Sequence, residues 1–117
     1  MPIQKGINMA IADEQVRLLG CIDKPIRLQI LTLLTEGEKH IGEIAEALGK
    51  EQSLVLYHLE ALRKCNVITV NPKTNRIYYK LSNARLAELV NISEAVLKDI
   101  FAVRPKENPN RKVNKLE

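Results

Sequence analysis

Apolar residues recur along this chain with two different periods. From Met9 to Ile22, the residues Ile11, Val16, Leu18, Leu19 and Ile22 fall at helical spacing, with Gly20 as a stop signal. A second block sets Ile26, Ile30, Leu33 and Leu34 at helical spacing and ends at Gly37. Asp23 stands where its cap belongs, and Pro25 suits a first turn because its missing N–H would be unpaired there anyway. A third block, Ile41–Leu48, turns Ile44, Ala45 and Leu48 to one side and is closed by Gly49. The fourth begins near Gln52. In Gln52-Ser-Leu-Val-Leu-Tyr-His-Leu-Glu-Ala-Leu-Arg63, the residues Val55, Leu59 and Leu62 must face a core, which leaves the opposite face to something outside.

The period then drops to two. Ile68 and Val70 alternate with polar neighbours in Val67–Val70, as do Ile77, Tyr79 and Leu81 in Arg76–Leu81. The connecting Asn71-Pro-Lys-Thr-Asn75 suits an exposed turn. Ser82 or Asn83 can cap a last helix running to about Val103, with an apolar stripe of Leu86, Leu89, Val90, Val96, Leu97, Ile100 and Phe101. The fold class is therefore mainly α with a small β-hairpin wing: four helices, two strands, one long helix. Helix, tight turn, helix, then a hairpin with a basic tip is the order of a winged helix-turn-helix, an arrangement that binds duplex DNA. The chain divides into a flexible N-terminus (1–8), a single DNA-binding and dimerisation domain (9–103) and a disordered basic tail (104–117).

Composition narrows the function. At 117 residues, 45% apolar and 27% charged, the chain suits one soluble domain with a modest core. No apolar run approaches the roughly 20 residues of a membrane span. The opening Met1-Pro-Ile-Gln-Lys-Gly lacks the apolar core of a signal peptide. A cytoplasmic protein is expected. The net charge of +4 is unevenly placed. Residues 50–80 hold six basic side chains against two acidic, and 104–117 hold five against two, whereas 36–49 hold four acidic against one basic. The excess thus gathers on the fourth helix, the wing and the tail, where phosphates would be met. An enzyme is not indicated: there is no Gly-rich phosphate loop, no nucleophile elbow and no carboxylate pair in an apolar context. Nothing implies a cofactor.

The terminal helices carry more apolar surface than a small helix-turn-helix core can cover. The simplest solution is a two-fold dimer through Ile11, Val16 and Leu19 of the first helix and Leu86, Leu89, Val90, Val96, Leu97, Ile100 and Phe101 of the last. The alternative is that both helices wrap their own monomer.

From Leu18 to about Leu89 the chain resembles the ArsR/SmtB-type winged-helix repressors. The likeness lies in Asp23-Lys-Pro-Ile-Arg-Leu-Gln-Ile-Leu-Thr-Leu-Leu34, Ile44-Ala-Glu-Ala-Leu-Gly49, Gln52-Ser53, Val55 through His58-Leu59, Leu62-Arg63 and the wing's Arg76-Ile-Tyr-Tyr-Lys-Leu81. The resemblance implies a homodimeric repressor that releases its operator on a chemical signal. It places Gln52, Ser53 and Tyr57 at bases or phosphates, with Lys50 at the entrance and Arg63 nearby, and Lys73 and Arg76 at phosphate or the minor groove. Leu54 and Leu56 depart from the pattern, which has small or hydroxylated residues there. They either touch thymine methyl groups or pack against a neighbouring helix. An apolar strip on an exposed helix also suits the alternative of an architectural or protein-interaction module with weak DNA sequence preference. One of Tyr78 and Tyr79 is expected to pack and the other to meet solvent or DNA.

The signal is less legible. Many members of such a family bind soft metals through a Cys-x-Cys pair on the third helix or through His and Asp on the last. Here the first location reads His40-Ile41-Gly42, and the last helix has no histidine. His58 and Cys65 stand about 10.5 Å apart along one helix, too far to share an ion whose donors lie about 2.0–2.3 Å from it. No metal site is assigned, and the effector is unknown. His58 is read as a core-edge histidine bonding a backbone carbonyl. Cys21 and Cys65 make no disulfide framework and fit a reducing compartment. They are either small apolar fillers or the seat of a redox switch through Cys65 or Cys21, Cys65 following Arg63-Lys64, which would lower a thiol pKa.

Overall fold

The computed structural model describes residues 9–102. The expected 1–8 terminus and 104–117 tail, and Val103, lie outside the described residues. The helices are α1 (Met9–Cys21), α2 (Pro25–Leu34), α3 (Ile41–Leu48), α4 (Gln52–Lys64) and α5 (Arg85–Ala102). The strands are β1 (Lys39–His40), β2 (Ile68–Pro72) and β3 (Ile77–Leu81).

The expected two-stranded wing is one strand short. β1 joins it, giving an antiparallel sheet in the order β1-β3-β2, with Lys39 opposite Tyr79 and His40 opposite Tyr78. Two residues carry no readable periodicity, so the pattern could not show this strand. The two wing strands leave the core as they run outward. Ile68 is buried and pairs with Leu81, whereas Ile77 near the tip is exposed along with Val70. Alternation sets these residues apart from their polar neighbours but does not say how far each is covered. The outer half overhangs the domain's edge.

Capping explains the helix boundaries. Asp23 is not the cap of α2; Lys24 holds that position in extended backbone, and Pro25 occupies the first turn. At α3 a reciprocal box forms on a histidine. His40 Nδ1 accepts from the Gly42 N–H at 3.1 Å while Glu43 Oε1 accepts from the His40 N–H at 3.0 Å. The ring needs Gly42, because a Cβ there would stand 2.9 Å from His40 Cε1. Gly49 ends α3 in the left-handed conformation, φ 66°, and sends the Lys50 N–H back to the Ala45 carbonyl at 3.1 Å. Asn66, φ 64°, does the same for α4, with Val67 N–H bonded to Leu62 O at 3.0 Å. Asn83 Oδ1 accepts from the Arg85 N–H at 2.8 Å and opens α5.

α2, α3, α4 and the base of the sheet enclose the core. Ile30, Leu31, Ile44, Val55, Leu59, Leu62, Val67 and Ile68 are completely buried. Removing one such leucine side chain to alanine costs about 2–5 kcal/mol. Two polar residues share this interior. Arg27 Nε donates to His58 Nδ1 at 3.0 Å, and Arg27 Nη1 donates to the Cys21 carbonyl at 3.1 Å. His58 is therefore the neutral acceptor of a guanidinium, not a donor to a backbone carbonyl as expected. Burial, then the charges of Arg27 and Lys24, hold its pKa below the ordinary imidazole value.

Cys21 and Cys65 are joined as a disulfide, with their Cα atoms 6.5 Å apart. The reading as separate apolar fillers is thereby corrected, as is the expectation of no disulfide. The pair comes together because α1 ends beside the C-terminus of α4, a placement that no local pattern encodes.

The terminal helices contrast with the core. No residue of α1 is buried, and Ile11, Val16 and Leu19 are at least half exposed. In α5 the expected stripe divides. Leu86 and Val90 are buried within their own chain and Leu89 is half-buried, which removes Leu86 and Val90 from the surface assigned to a partner. Val96, Leu97, Ile100 and Phe101 remain exposed, joined by Ile92.

Candidate nucleic-acid interface

α4 is held by one face. Val55, Leu59 and Leu62 have no exposed surface, and His58 is anchored through Arg27. With four side chains fixed along about two turns, the rest of the helix points outward in a defined direction. Gln52, Ser53 and Tyr57 are all exposed, as is Lys50 in the turn before them. Leu54 and Leu56 are exposed by 43% and 42%, so neither is taken up by packing against a neighbouring helix. Tyr57 stacks edge-on to His58, ring centres 5.0 Å apart, which steadies an aromatic ring that is 64% exposed.

The wing stands beside this surface. Between them runs an open groove of about 770 Å³ bordered by His40, Gln52, Leu56, Lys73, Arg76 and Ile77. The hairpin closes with Lys73 N–H bonded to Arg76 O at 2.7 Å, placing both cations at the tip. Of the two tyrosines, Tyr79 is buried, and burial raises its pKa. Tyr78 is half-buried beneath the Lys73 ammonium, 4.7 Å from its ring centre.

Three of the predicted contact cations already have partners. Arg63 makes two bonds to Glu60 Oε1, at 2.8 and 3.0 Å. Lys73 Nζ lies 3.3 Å from Glu38 Oε1, and Arg76 Nη1 lies 2.8 Å from His40 Nε2. The exposed ion pairs are weak in water, so exchanging such a partner for a phosphate costs little. The His40 contact is more unusual. With Nδ1 accepting from Gly42, a neutral ring carries its hydrogen on Nε2, which faces another donor in Arg76. His40 was missed as part of this surface because the sequence offered it only as a metal ligand; the signal was Glu43 three residues on, a capping-box spacing.

Among the described residues no group of three or more His, Cys, Asp or Glu side chains stands together as a metal site. No helix among them is long and apolar enough to cross a membrane.

A helix fixed on one face, a short left-handed turn before it and a cation-tipped hairpin beside it define a winged helix-turn-helix of the DNA-binding class. Residues 24–70 match the family described as bacterial regulatory protein, arsR family. The chain is 31% identical over 96 residues to the biofilm growth-associated repressor of Xylella fastidiosa, covering 82% of this chain and 81% of that protein. Among solved structures, it is similar to the BigR repressor of the same organism, with a TM-score of 0.69 and 30% identity over 73% of this chain and 87% of that one. It also resembles the homodimeric winged helix-turn-helix domain of Mb0332 from Mycobacterium bovis, a possible ArsR-family regulator. There the TM-score is 0.74 with 25% identity, covering 92% of this chain and all of that one. The chain belongs to the arsR family of bacterial regulatory proteins and is a DNA-binding transcriptional regulator.

Proposed function

We propose that the protein is a cytoplasmic homodimeric repressor in which each α4 enters a major groove and each wing tip meets the adjoining backbone. One observation carries this reading: the first turns of α4 expose Gln52, Ser53, Leu54, Leu56 and Tyr57 while the same helix is fully anchored behind. Gln52 offers both amide atoms to an adenine edge, and Leu54 and Leu56 offer apolar contact to thymine methyl groups. Ser53, Tyr57, Lys50 and Arg63 supply backbone anchors, and Lys73 and Arg76 bind phosphate or reach the minor groove. The unburied apolar faces of α1 and α5 support dimerisation: Ile11, Val16, Leu19, Val96, Leu97, Ile100 and Phe101, with Leu89 at the margin. The similar Mycobacterium bovis domain is itself homodimeric. Two reading helices would then lie about one turn of B-form DNA apart, roughly 34 Å.

The test is a titration against duplex from the protein's own upstream region and against random duplex, repeated across salt. A specific repressor shows a large ratio between the two duplexes at every salt concentration. A steep salt slope with almost no ratio indicates an architectural binder instead, the reading that the half-exposed Leu54 and Leu56 would then favour.

A further inference from the structure

We propose that Cys21 and Cys65 form a reversible thiol–disulfide switch coupling the dimer helix to the reading helix; the proposal rests on the DNA-binding dimer described above. Cys21 is the last residue of α1, and Cys65 is the residue that caps α4. Among the described residues, this disulfide and the hydrogen bond from Arg27 Nη1 to the Cys21 carbonyl tie the C-terminal end of α1 to the rest of its chain. Because α1 has no fully buried residue and is only partly covered by its own chain at Leu18 and Cys21, near its end, its angle to α4 depends strongly on such ties and on whatever its apolar face meets. Breaking the S–S bond removes the covalent tie. The separation of the two α4 helices across the dimer is then no longer set by it, and engagement of successive major grooves depends on that separation.

The surroundings suit exchange. Both cysteines are half-buried, held in place yet reachable by a small reagent. Arg63 and Lys64 immediately precede Cys65 in the chain; Arg63 is held by Glu60, which leaves Lys64 as the adjacent cation that would favour a thiolate. A regulator that binds DNA works where thiols are mostly kept reduced, and disulfides there are usually transient and redox-sensing. With a low-molecular-weight disulfide as oxidant, the Cys65 thiolate attacks one sulfur and expels a thiolate, leaving a mixed disulfide. The Cys21 thiolate then attacks Cys65 Sγ and expels the second. The reagent's S–S bond breaks, the protein's forms, and two electrons pass to the reagent. The two protons lost by the cysteines end on the two released thiols.

The full chain, equilibrated in glutathione buffers of graded redox ratio, is titrated against labelled duplex from its own upstream region, with alkylation and mass measurement in parallel. The expected result is no alkylated cysteine in the oxidised form, two in the reduced form, and a Kd differing by at least about fivefold between them, restored on re-reduction. Cys21→Ser and Cys65→Ser each hold the affinity at its reduced value. Equal Kd values for the two alkylation-verified forms overturn the proposal, as does a disulfide formed between chains. If the serine variants fail to fold, the wild type at its two redox extremes still carries the comparison. If neither form binds duplex, the DNA-binding reading fails separately. The switch is then judged by the dimer dissociation constant from sedimentation, and an equal value in both forms overturns it.

Discussion

The unit formed by α2, α3, α4 and the sheet differs from the two terminal helices in where its apolar surface goes. In the first, Ile30, Leu31, Ile44, Val55, Leu59 and Leu62 are buried in one core, which Leu86 and Val90 from the start of α5 help to close. In the second, α1 buries no residue, and α5 buries Leu86 and Val90 before its outer turns expose Val96, Leu97, Ile100 and Phe101. The reading unit buries its apolar surface within the chain, whereas α1 and the outer turns of α5 leave theirs exposed. A 13-residue helix with no fully buried residue is marginal by itself in water, so in the proposed dimer α1 would gain stability from the partner surface as well as from the bonds at its end.

Substitutions in the two regions should therefore fail differently. Leu59→Ala, in the reading unit, should lower folding stability by about 2–5 kcal/mol in denaturant unfolding. Val96→Glu with Ile100→Glu, on the exposed face of α5, should leave the α2–α4 core folded yet convert the protein to single subunits in sedimentation. Equal losses of fold from both changes would erase the distinction between the regions.

The disulfide crosses the boundary between them. It closes a loop spanning 44 residues, so its reduction should lower stability by up to about 4 kcal/mol, read as a shift in unfolding midpoint with and without reductant. A shift much smaller than this would mean that α1 is detached at little cost to the core.

Within the reading unit, the helix and the wing should also separate. Gln52→Ala should flatten the preference among sequences by about 1–3 kcal/mol at the position that Gln52 reads. Lys73→Ala and Arg76→Ala should weaken all duplexes alike and reduce the salt slope by about one each. The same loss on every sequence from all three changes would refute the division of labour.

These regions were unequally legible in the sequence. α3 and α4 were readable because a helical stripe ending in Gly49 and a fixed set of core positions both act locally. The wing's connection was readable for the same reason, from Asn71-Pro-Lys-Thr-Asn75. What required the third dimension was long-range. β1 is two residues paired across the chain, Arg27 meets His58 from a different helix, and Cys21 meets Cys65 only once α1 is placed. The division of the α5 stripe between core and surface was hidden because periodicity gives a face but not what covers it. His40 is the opposite case: its ring reads as a metal donor, yet the spacing to Glu43 three residues on is the local signal of the cap it forms.

The smallest expected effect comes from His58. Its pKa is lowered in the folded state by burial and by Arg27. Above about pH 6.5 the ring is neutral in both states, so pH has no leverage through it. As pH falls below that value, the unfolded chain takes up a proton that the folded chain refuses, and stability declines until the folded-state pKa is passed. His58→Gln should remove this part of the acid-side decline in a series of unfolding midpoints; an unchanged decline would assign it to other groups.

The central claim, that two chains join through α1 and α5 to present a pair of α4 helices to DNA, is tested most directly by sedimentation at micromolar concentration, free and with duplex from the upstream region. The account predicts a two-subunit particle when free and two subunits on each bound duplex. A single subunit in both conditions would contradict it.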